Sequence, residues 1–147
     1  MKHEFEKIIL IKLRKPSEKN LNADLQWLSG SLGLFGDRDK EKSCFRVFIE
    51  IVKATRKKKS LTSDEIALRS NLSRATVIHH LNKLIEFGLV IHHDNFYLLR
   101  TNNMQELVEE IRKDSMRVIY DLMQAAQDID DQLGMPKNDS NRTVIDQ

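Results

Sequence analysis

The clearest pattern of hydrophobic and polar positions lies between Leu61 and Arg100. Thr62 and Glu65 stand three residues apart just before the apolar Ile66, which predicts a helix that begins with a capping box. The apolar spacing is interrupted at residues 70–72, where serine and asparagine favour a turn. We therefore predict a first short helix that ends in a tight turn.

A second helix is predicted directly after this turn. Ser73 can cap its free backbone N–H groups, and Gly88 can end it. Four apolar residues share one face at helical spacing: Val77, Leu81, Leu84 and Ile85. Two short helices joined by a tight turn have the layout of a helix-turn-helix.

Two strand-like runs follow the second helix. Residues 89–91 are Leu-Val-Ile and residues 96–99 are Phe-Tyr-Leu-Leu, joined through residues 92–95, His-His-Asp-Asn. Asp and Asn tolerate the backbone conformations of a hairpin turn. The order helix, turn, helix, hairpin is typical of a winged helix-turn-helix.

Three stretches carry a resemblance to a known family: LTSDEIA, NLSRATVIHHLNKL and EFGLVI. With them, residues 39 to 100 resemble the ArsR and MarR-like transcriptional regulators. The resemblance implies a winged helix-turn-helix that binds double-stranded DNA. It identifies neither the operator nor an effector, whether small molecule or metal.

The phase of the second helix predicts which side chains meet DNA. At about 100° per residue, the side of the helix opposite the inward face carries Ala75, His79 and Asn82, and Arg74 lies in the first turn. A recognition helix uses such outward N-terminal residues on bases and phosphates. With their neighbours and two hairpin residues, the predicted DNA-binding set is Ser73, Arg74, Ala75, Thr76, Ile78, His79, Asn82, Lys83, His93 and Asn95.

The residue types in this set fit DNA chemistry. Arg74 can read guanine through paired hydrogen bonds, and Asn82 can pair with adenine. Thr76 and Lys83 are better placed for phosphates, which position a protein without specifying sequence. The same face also fits two alternatives: an ordinary solvated helix, or a winged helix that docks another protein without reading bases.

The histidines and the single cysteine raise the question of a metal sensor. His79 is predicted to point outward, whereas His80 falls beside the buried stripe and can pack against the first helix. Cys44 lies in the apolar stretch SCFRVFIEIV and has no partner at metal-ligand spacing, so a buried thiol is the expected outcome. We predict neither a metal site nor a cofactor.

Composition fits a regulator rather than an enzyme. The 147 residues suffice for one domain with accessory helices. The longest apolar run, residues 8–11, is too short to span a bilayer, and no signal-peptide layout precedes it, so we expect a cytoplasmic protein without membrane contact. There is no glycine-rich phosphate loop, no pair of ligand-spaced cysteines and no nucleophile elbow, so no enzymatic activity is predicted.

The net charge is only +2, but the charged residues are distributed unevenly along the chain. Residues 1–102 hold 19 Lys and Arg against 12 Asp and Glu, whereas residues 103–147 hold 5 against 10. The basic part contains the predicted helix-turn-helix, as DNA binding requires. Lys57, Lys58 and Lys59 form a cluster just before the motif, which fits either a contact with the DNA backbone or a solvated linker.

Two further helices are predicted ahead of the motif. One runs to Arg56 with its apolar positions at helical spacing, and it should close the three-helix core: Phe45, Phe48, Ile49 and Val52. An earlier amphipathic helix within residues 21–35 ends at Gly33 or Gly36, with a stripe formed by Leu21, Leu25, Leu28 and Leu32. Trp27 lies off this stripe, which fits a partner surface or a larger core. The dense apolar run FEKIILIKLR before Pro16 fits an edge strand or a short helix.

A heptad seam follows the hairpin. After Asn102 and Asn103, which can cap a helix, positions alternate four and three apart: Met104, Val108, Ile111, Ser115, Val118, Leu122, Ala125 and Ile129. A helix of roughly 30 residues extends about 45 Å, too long to be buried on one small domain. We predict that it pairs with its twin in a homodimer through the seven apolar members, although it could also pack on the N-terminal helix of its own chain.

These patterns give one architecture. We predict a mainly α fold with a small β-hairpin, divided into an N-terminal extension with an amphipathic helix (1–36), a winged helix-turn-helix (37–101), a dimerisation helix (102–134) and a disordered tail (135–147). The predicted function is a homodimeric, sequence-specific regulator of transcription, with the helix of residues 73–87 in the major groove and the hairpin of residues 89–99 as the wing. The alternative is a protein-interaction module of the transcription apparatus.

Overall fold

The fold has five helices and three short strands in the part of the chain that a computed structural model describes, residues 7–36, 38–39 and 41–137. In chain order they are α1 (Leu21–Ser31), α2 (Ser43–Arg56), β1 (Leu61–Thr62), α3 (Ser63–Ser70), α4 (Arg74–Glu86), β2 (Val90–His93), β3 (Phe96–Leu99) and α5 (Met104–Leu133). The predicted winged helix-turn-helix with a long C-terminal helix is confirmed. The chain forms two compact units, Met1–Ile111 and Arg112–Gln147.

The sheet has one strand more than the predicted hairpin. Its order is β1-β3-β2, and both pairings are antiparallel, with Tyr97 of β3 opposite Leu61 on one side and His92 on the other. β1 has two residues, too few to show an alternating pattern in sequence. The predicted four-residue connection at 92–95 is wrong in its length, because His92 and His93 belong to β2 and the turn is Asp94-Asn95, with Asp94 left-handed at φ 54.

The core of the first unit lies among α2, α3, α4 and the sheet. The predicted buried stripe of α2 is partly wrong: Phe48 is fully buried, but Phe45 and Ile49 are half-buried, and Val47 and Ile51 take the inward positions. The helix carries apolar residues on two adjoining stripes, and α3 and α4 cover the one that sequence phase did not select. Phe45 instead faces the Phe35 ring, at a centroid distance of 5.4 Å.

The helix-turn-helix forms as its caps predict. Thr62 and Glu65 make a reciprocal capping box at the start of α3, and Ser73 accepts a hydrogen bond from the Thr76 N–H at the start of α4. The turn between the helices closes through Asn71, which adopts the left-handed conformation at φ 56. Three residues of α4 have no exposed surface and fix its inward face: Val77, Leu81 and Leu84.

The N-terminal segment departs from prediction. From Lys7 to Pro16 it forms neither the edge strand nor the helix that its apolar run suggested, and residues 5–6 of that run lie outside the described residues. Its bonding partner is α1 rather than a strand: the Ile11 N–H donates to the Ser31 carbonyl at 2.8 Å, and Trp27 Nε1 donates to the Leu13 carbonyl at 3.2 Å. Trp27 is therefore half-covered by its own chain.

α1 is a shorter helix than its leucine spacing suggests. It ends at Ser31, and Gly33 follows the cap in the left-handed conformation, at φ +83. Leu21 of the predicted stripe is 75% exposed, because the helix has only begun there, whereas Leu32 and the following Leu34 are buried in the core.

α5 begins in the first unit and continues into the second. The Glu106 N–H donates to Asn103 Oδ1 at 2.8 Å, which confirms the predicted cap, and Gly134 ends the helix with a left-handed φ of +64. In the first unit Leu107 and Ile111 are buried in the core, whereas Val108 of the predicted seam is 42% exposed.

The second unit consists of the remaining part of α5 and the residues after it. From Met116 to Leu133 its side chains are exposed. Residues 135–137 are in neither a helix nor a strand, and the rest of the predicted disordered tail, 138–147, lies outside the described residues. No described helix combines the length and apolarity needed to cross a membrane.

Candidate nucleic-acid interface

The N-terminal turn of α4 presents a polar, exposed surface. Ser73, Arg74 and Ala75 are exposed, while Thr76 is half-buried, and its hydroxyl accepts a hydrogen bond from Ser73 Oγ at 2.8 Å. The side chain of Ser73 therefore caps the helix. Ser73 would contribute to a DNA interface by holding the exposed first turn of α4 in place.

Arg74 is held near the start of α3 by one ion pair. Its Nε lies 3.5 Å from Asp64 Oδ1, and both side chains are more than 70% exposed. Ion pairs this exposed contribute about 0–1 kcal/mol, so the guanidinium can leave Asp64 at little cost. Asp64 was not among the residues that sequence reasoning selected.

The C-terminal half of α4 lines a shallow groove. His79 and Asn82 are exposed and Lys83 is half-buried; all three line the groove with Lys7 and Glu86. Phe87 completes it, and Lys83 Nζ lies 5.6 Å from the centre of that ring. Ile78, which sequence phase placed at the edge of the outward face, packs partly against the core.

The hairpin presents its turn separately from α4. His93 and Asn95 are exposed, and His93 Nε2 lies 3.7 Å from Asp94 Oδ2. His92 stacks on the Tyr97 ring at a centroid distance of 4.2 Å, which stiffens the hairpin across its two strands.

The lysine cluster after α2 lies at the other end of the sheet. Leu61 pairs with Tyr97 and Thr62 with Phe96, so the chain before Leu61 runs away from the hairpin turn. Lys58 and Lys59 accordingly line a groove with the end of β3. All three lysines of the cluster are exposed.

Residues 49–92, from α2 to β2, match the family model described as bacterial regulatory protein, arsR family. This segment is similar to the helix-turn-helix of that family. The match covers less than a third of the chain, and it supports the resemblance of the motif to DNA-binding regulators of transcription. Comparison with curated proteins and with solved structures finds no match.

A group of ionisable side chains lies beneath α4. His80 is buried, and its Nδ1 has no hydrogen-bond partner within the described chain. Burial lowers the pKa of His80, against the opposing charge of Asp39. Asp39 itself is partly desolvated, but hydrogen bonds from the Cys44 and Ser43 N–H groups hold its pKa below the usual value.

Cys44 lies beside this group and is fully buried, as its apolar surroundings predicted. Burial raises the pKa of its thiol to about 11, so it stays protonated. Among the described residues no three His, Cys, Asp or Glu side chains cluster so that they could hold a metal ion.

Sequence reasoning did not select three residues that line this groove: Lys7, Glu86 and Phe87. Lys7 lies in the segment without regular structure, so no helical or strand period could connect it to α4. The one available signal was its charge, which it shares with many exposed lysines of the chain.

Proposed function

We propose that the chain is a sequence-specific regulator that acts as a homodimer, inserts α4 into the major groove and uses the β2–β3 hairpin as a wing. The observation that carries the proposal is the outward face of α4. Arg74, His79 and Asn82 are exposed there, on a helix whose opposite face is locked into the core of an arsR-type helix-turn-helix. This arrangement matches what base reading requires.

Exposed apolar surface on α5 supports the dimer. Val118, Leu122 and Ile129 of the heptad seam are 48%, 62% and 55% exposed, and Ala125 between them is exposed as well. A stripe of this kind on a long helix is stabilised by a partner helix. Met104 and Ile111 of the seam already pack on the core of the first unit, so the partner contact belongs mainly to the second.

The domain organisation follows from these roles. We assign DNA binding to residues 37–101 and dimerisation to residues 102–134. Two heads related by a twofold axis bind half-sites about one helical turn, or a multiple of it, apart.

The test is to select a preferred duplex from random sequences and compare variants on it. Arg74→Ala and Asn82→Ala should each cost about 1–3 kcal/mol on that duplex and relax its sequence preference, because each removes a base contact. Lys83→Ala should weaken binding to all sequences alike and make the salt dependence shallower, because it removes a phosphate contact.

Arg56→Ala is the matched control, since it removes an exposed arginine at the end of α2 and should leave the preference intact. Unchanged affinity in Arg74→Ala together with Asn82→Ala would contradict base reading by α4. A chain that selects no duplex, and whose weak DNA binding does not depend on salt, would instead support the protein-interaction module.

A further inference from the structure

The N-terminal segment reaches the outward side of α4. The Lys7 N–H donates to the Glu86 carbonyl at 3.4 Å, and Lys7 Nζ lies 3.8 Å from Glu86 Oε1. Lys7 also lines the groove that holds His79, Asn82 and Lys83. The residues from Lys7 to Lys15, which we call the arm, therefore begin beside the helix that is proposed to read DNA.

Alternate residues anchor the arm to the end of α1. Ile9 lies so close to Gly33 that a Cβ there would stand 2.8 Å from Ile9 Cγ2, and a Cβ at Gly30 would stand 3.0 Å from Leu13 Cδ1. Between them, Ile11 donates its N–H to the Ser31 carbonyl. The arm is thus held along its length, so its remaining side chains have defined positions.

The side chains that alternate with these anchors are exposed: Leu10, Lys12 and Arg14, of which the last two are basic. Lys12 and Arg14 are exposed, and within the described chain neither has an ion-pair partner. Lys15 is exposed too, with its Nζ 5.7 Å from the Trp27 ring. Three exposed cations therefore lie within four residues of a segment that is anchored to the domain, and the described chain supplies no carboxylate to neutralise Lys12 or Arg14.

The length of the arm fits DNA flanking the α4 site. An extended chain spans about 3.3 Å per residue, so Lys12 and Arg14 reach up to about 16–23 Å beyond Lys7. One turn of duplex measures about 34 Å, so this reach corresponds to the backbone about half a turn away. Lysine and arginine side chains bind phosphates at such positions without reading sequence.

We propose that the arm is a second DNA-binding element, in which Lys12, Arg14 and Lys15 contact backbone phosphates beside the site read by α4. The inference rests on the proposed function, because it adds to the affinity of a duplex that α4 selects. The arm contributes affinity and orientation, whereas base preference stays with α4.

The test measures affinity against salt concentration for the full chain on its selected duplex. The triple variant Lys12→Gln, Arg14→Gln, Lys15→Gln should reduce the slope of log affinity against log salt by about 2–3, since each phosphate contact contributes about 0.9. Affinity at low salt should fall at least about tenfold, with the sequence preference unchanged. The matched control removes the same charge from the far end of the sheet, as Lys57→Gln, Lys58→Gln, Lys59→Gln, and should retain the wild-type slope.

The outcomes separate the two proposals. A wild-type chain that binds its duplex with a steep salt slope, beside an arm variant with the same slope, overturns the arm alone. An equal reduction in both triple variants also overturns it, because net charge would then explain the effect. A wild-type chain that binds no DNA overturns the proposed function and the arm together. Thermal unfolding followed by circular dichroism establishes that each variant is folded.

Discussion

His80 and His79 are adjacent in sequence and have opposite surroundings. His79 is exposed on the outward face of α4, whereas His80 is buried with an unbonded Nδ1. Burial disfavours the charged imidazolium, which explains the lowered pKa of His80. α4 therefore contains one histidine whose protonation opposes folding.

The pH dependence of stability should report His80. Unfolded, this group titrates near 6.5; folded, it titrates lower, so its contribution is present above pH 6.5 and is lost as pH falls through the folded pKa. We expect the free energy of unfolding to decrease from about pH 7 to about pH 5, by at most about 1.4 kcal/mol per pH unit for one proton. Urea unfolding across this range measures it.

The variant His80→Gln should flatten this dependence, while His79→Gln, which removes the exposed neighbour, should retain it. Equal slopes in the two variants would show that the proton is taken up elsewhere. Asp39, whose folded pKa is lowered, loses its own contribution only at more acidic pH, below its usual 3.8.

At the scale of elements, the features that could be predicted from the sequence are those that local contacts determine. The caps of α3, α4 and α5 were predictable, because a side-chain oxygen at a fixed spacing satisfies free backbone N–H groups. The inward face of α2 was not, since its two apolar stripes are equivalent until α3 and α4 cover one of them. The conformations of β1 and the N-terminal segment depend on partners that are distant in sequence, so no local periodicity predicts them.

The same division applies to the candidate site. The exposure of Arg74, His79 and Asn82 follows from helical phase, and sequence reasoning selected them on that basis. Lys7 joins the groove through contacts with a helix some 80 residues later in the chain, a separation that single-sequence patterns do not bridge.

The capping box of α3 gives a prediction at this scale. Thr62→Ala removes the oxygen that accepts the Glu65 N–H at 3.2 Å, and should cost about 1 kcal/mol of stability. Ser63→Ala, which alters the next hydroxyl but not the capping box, is the control. Urea unfolding compares the two, and an equally small loss in both would mean that the cap contributes nothing measurable.

For the whole molecule, the exposed stripe on α5 is the surface through which the proposed dimer would form. Leu122→Glu places a charge at the middle of this stripe, where it would be desolvated against its symmetry mate. We expect the variant to be monomeric with a folded first unit, and to lose most of its operator affinity, because the second half-site no longer benefits from linkage to the first. Light scattering and circular dichroism measure the two properties.

Gln124→Glu adds the same charge on the opposite side of α5 and should remain dimeric. A wild-type chain that is monomeric at micromolar concentration contradicts the dimer directly. In that case the exposed Leu122 and Ile129 of α5 would be expected to contact a different protein.

Cys44 can serve as a chemical probe of local unfolding. It is the chain's single cysteine, it has no exposed surface, and its thiol stays protonated at neutral pH. An alkylating reagent reacts with the exposed thiolate, so modification has to wait until α2 separates from α4. Each labelled molecule then reports one opening of the helix-turn-helix, so the rate of labelling measures how often this unit opens.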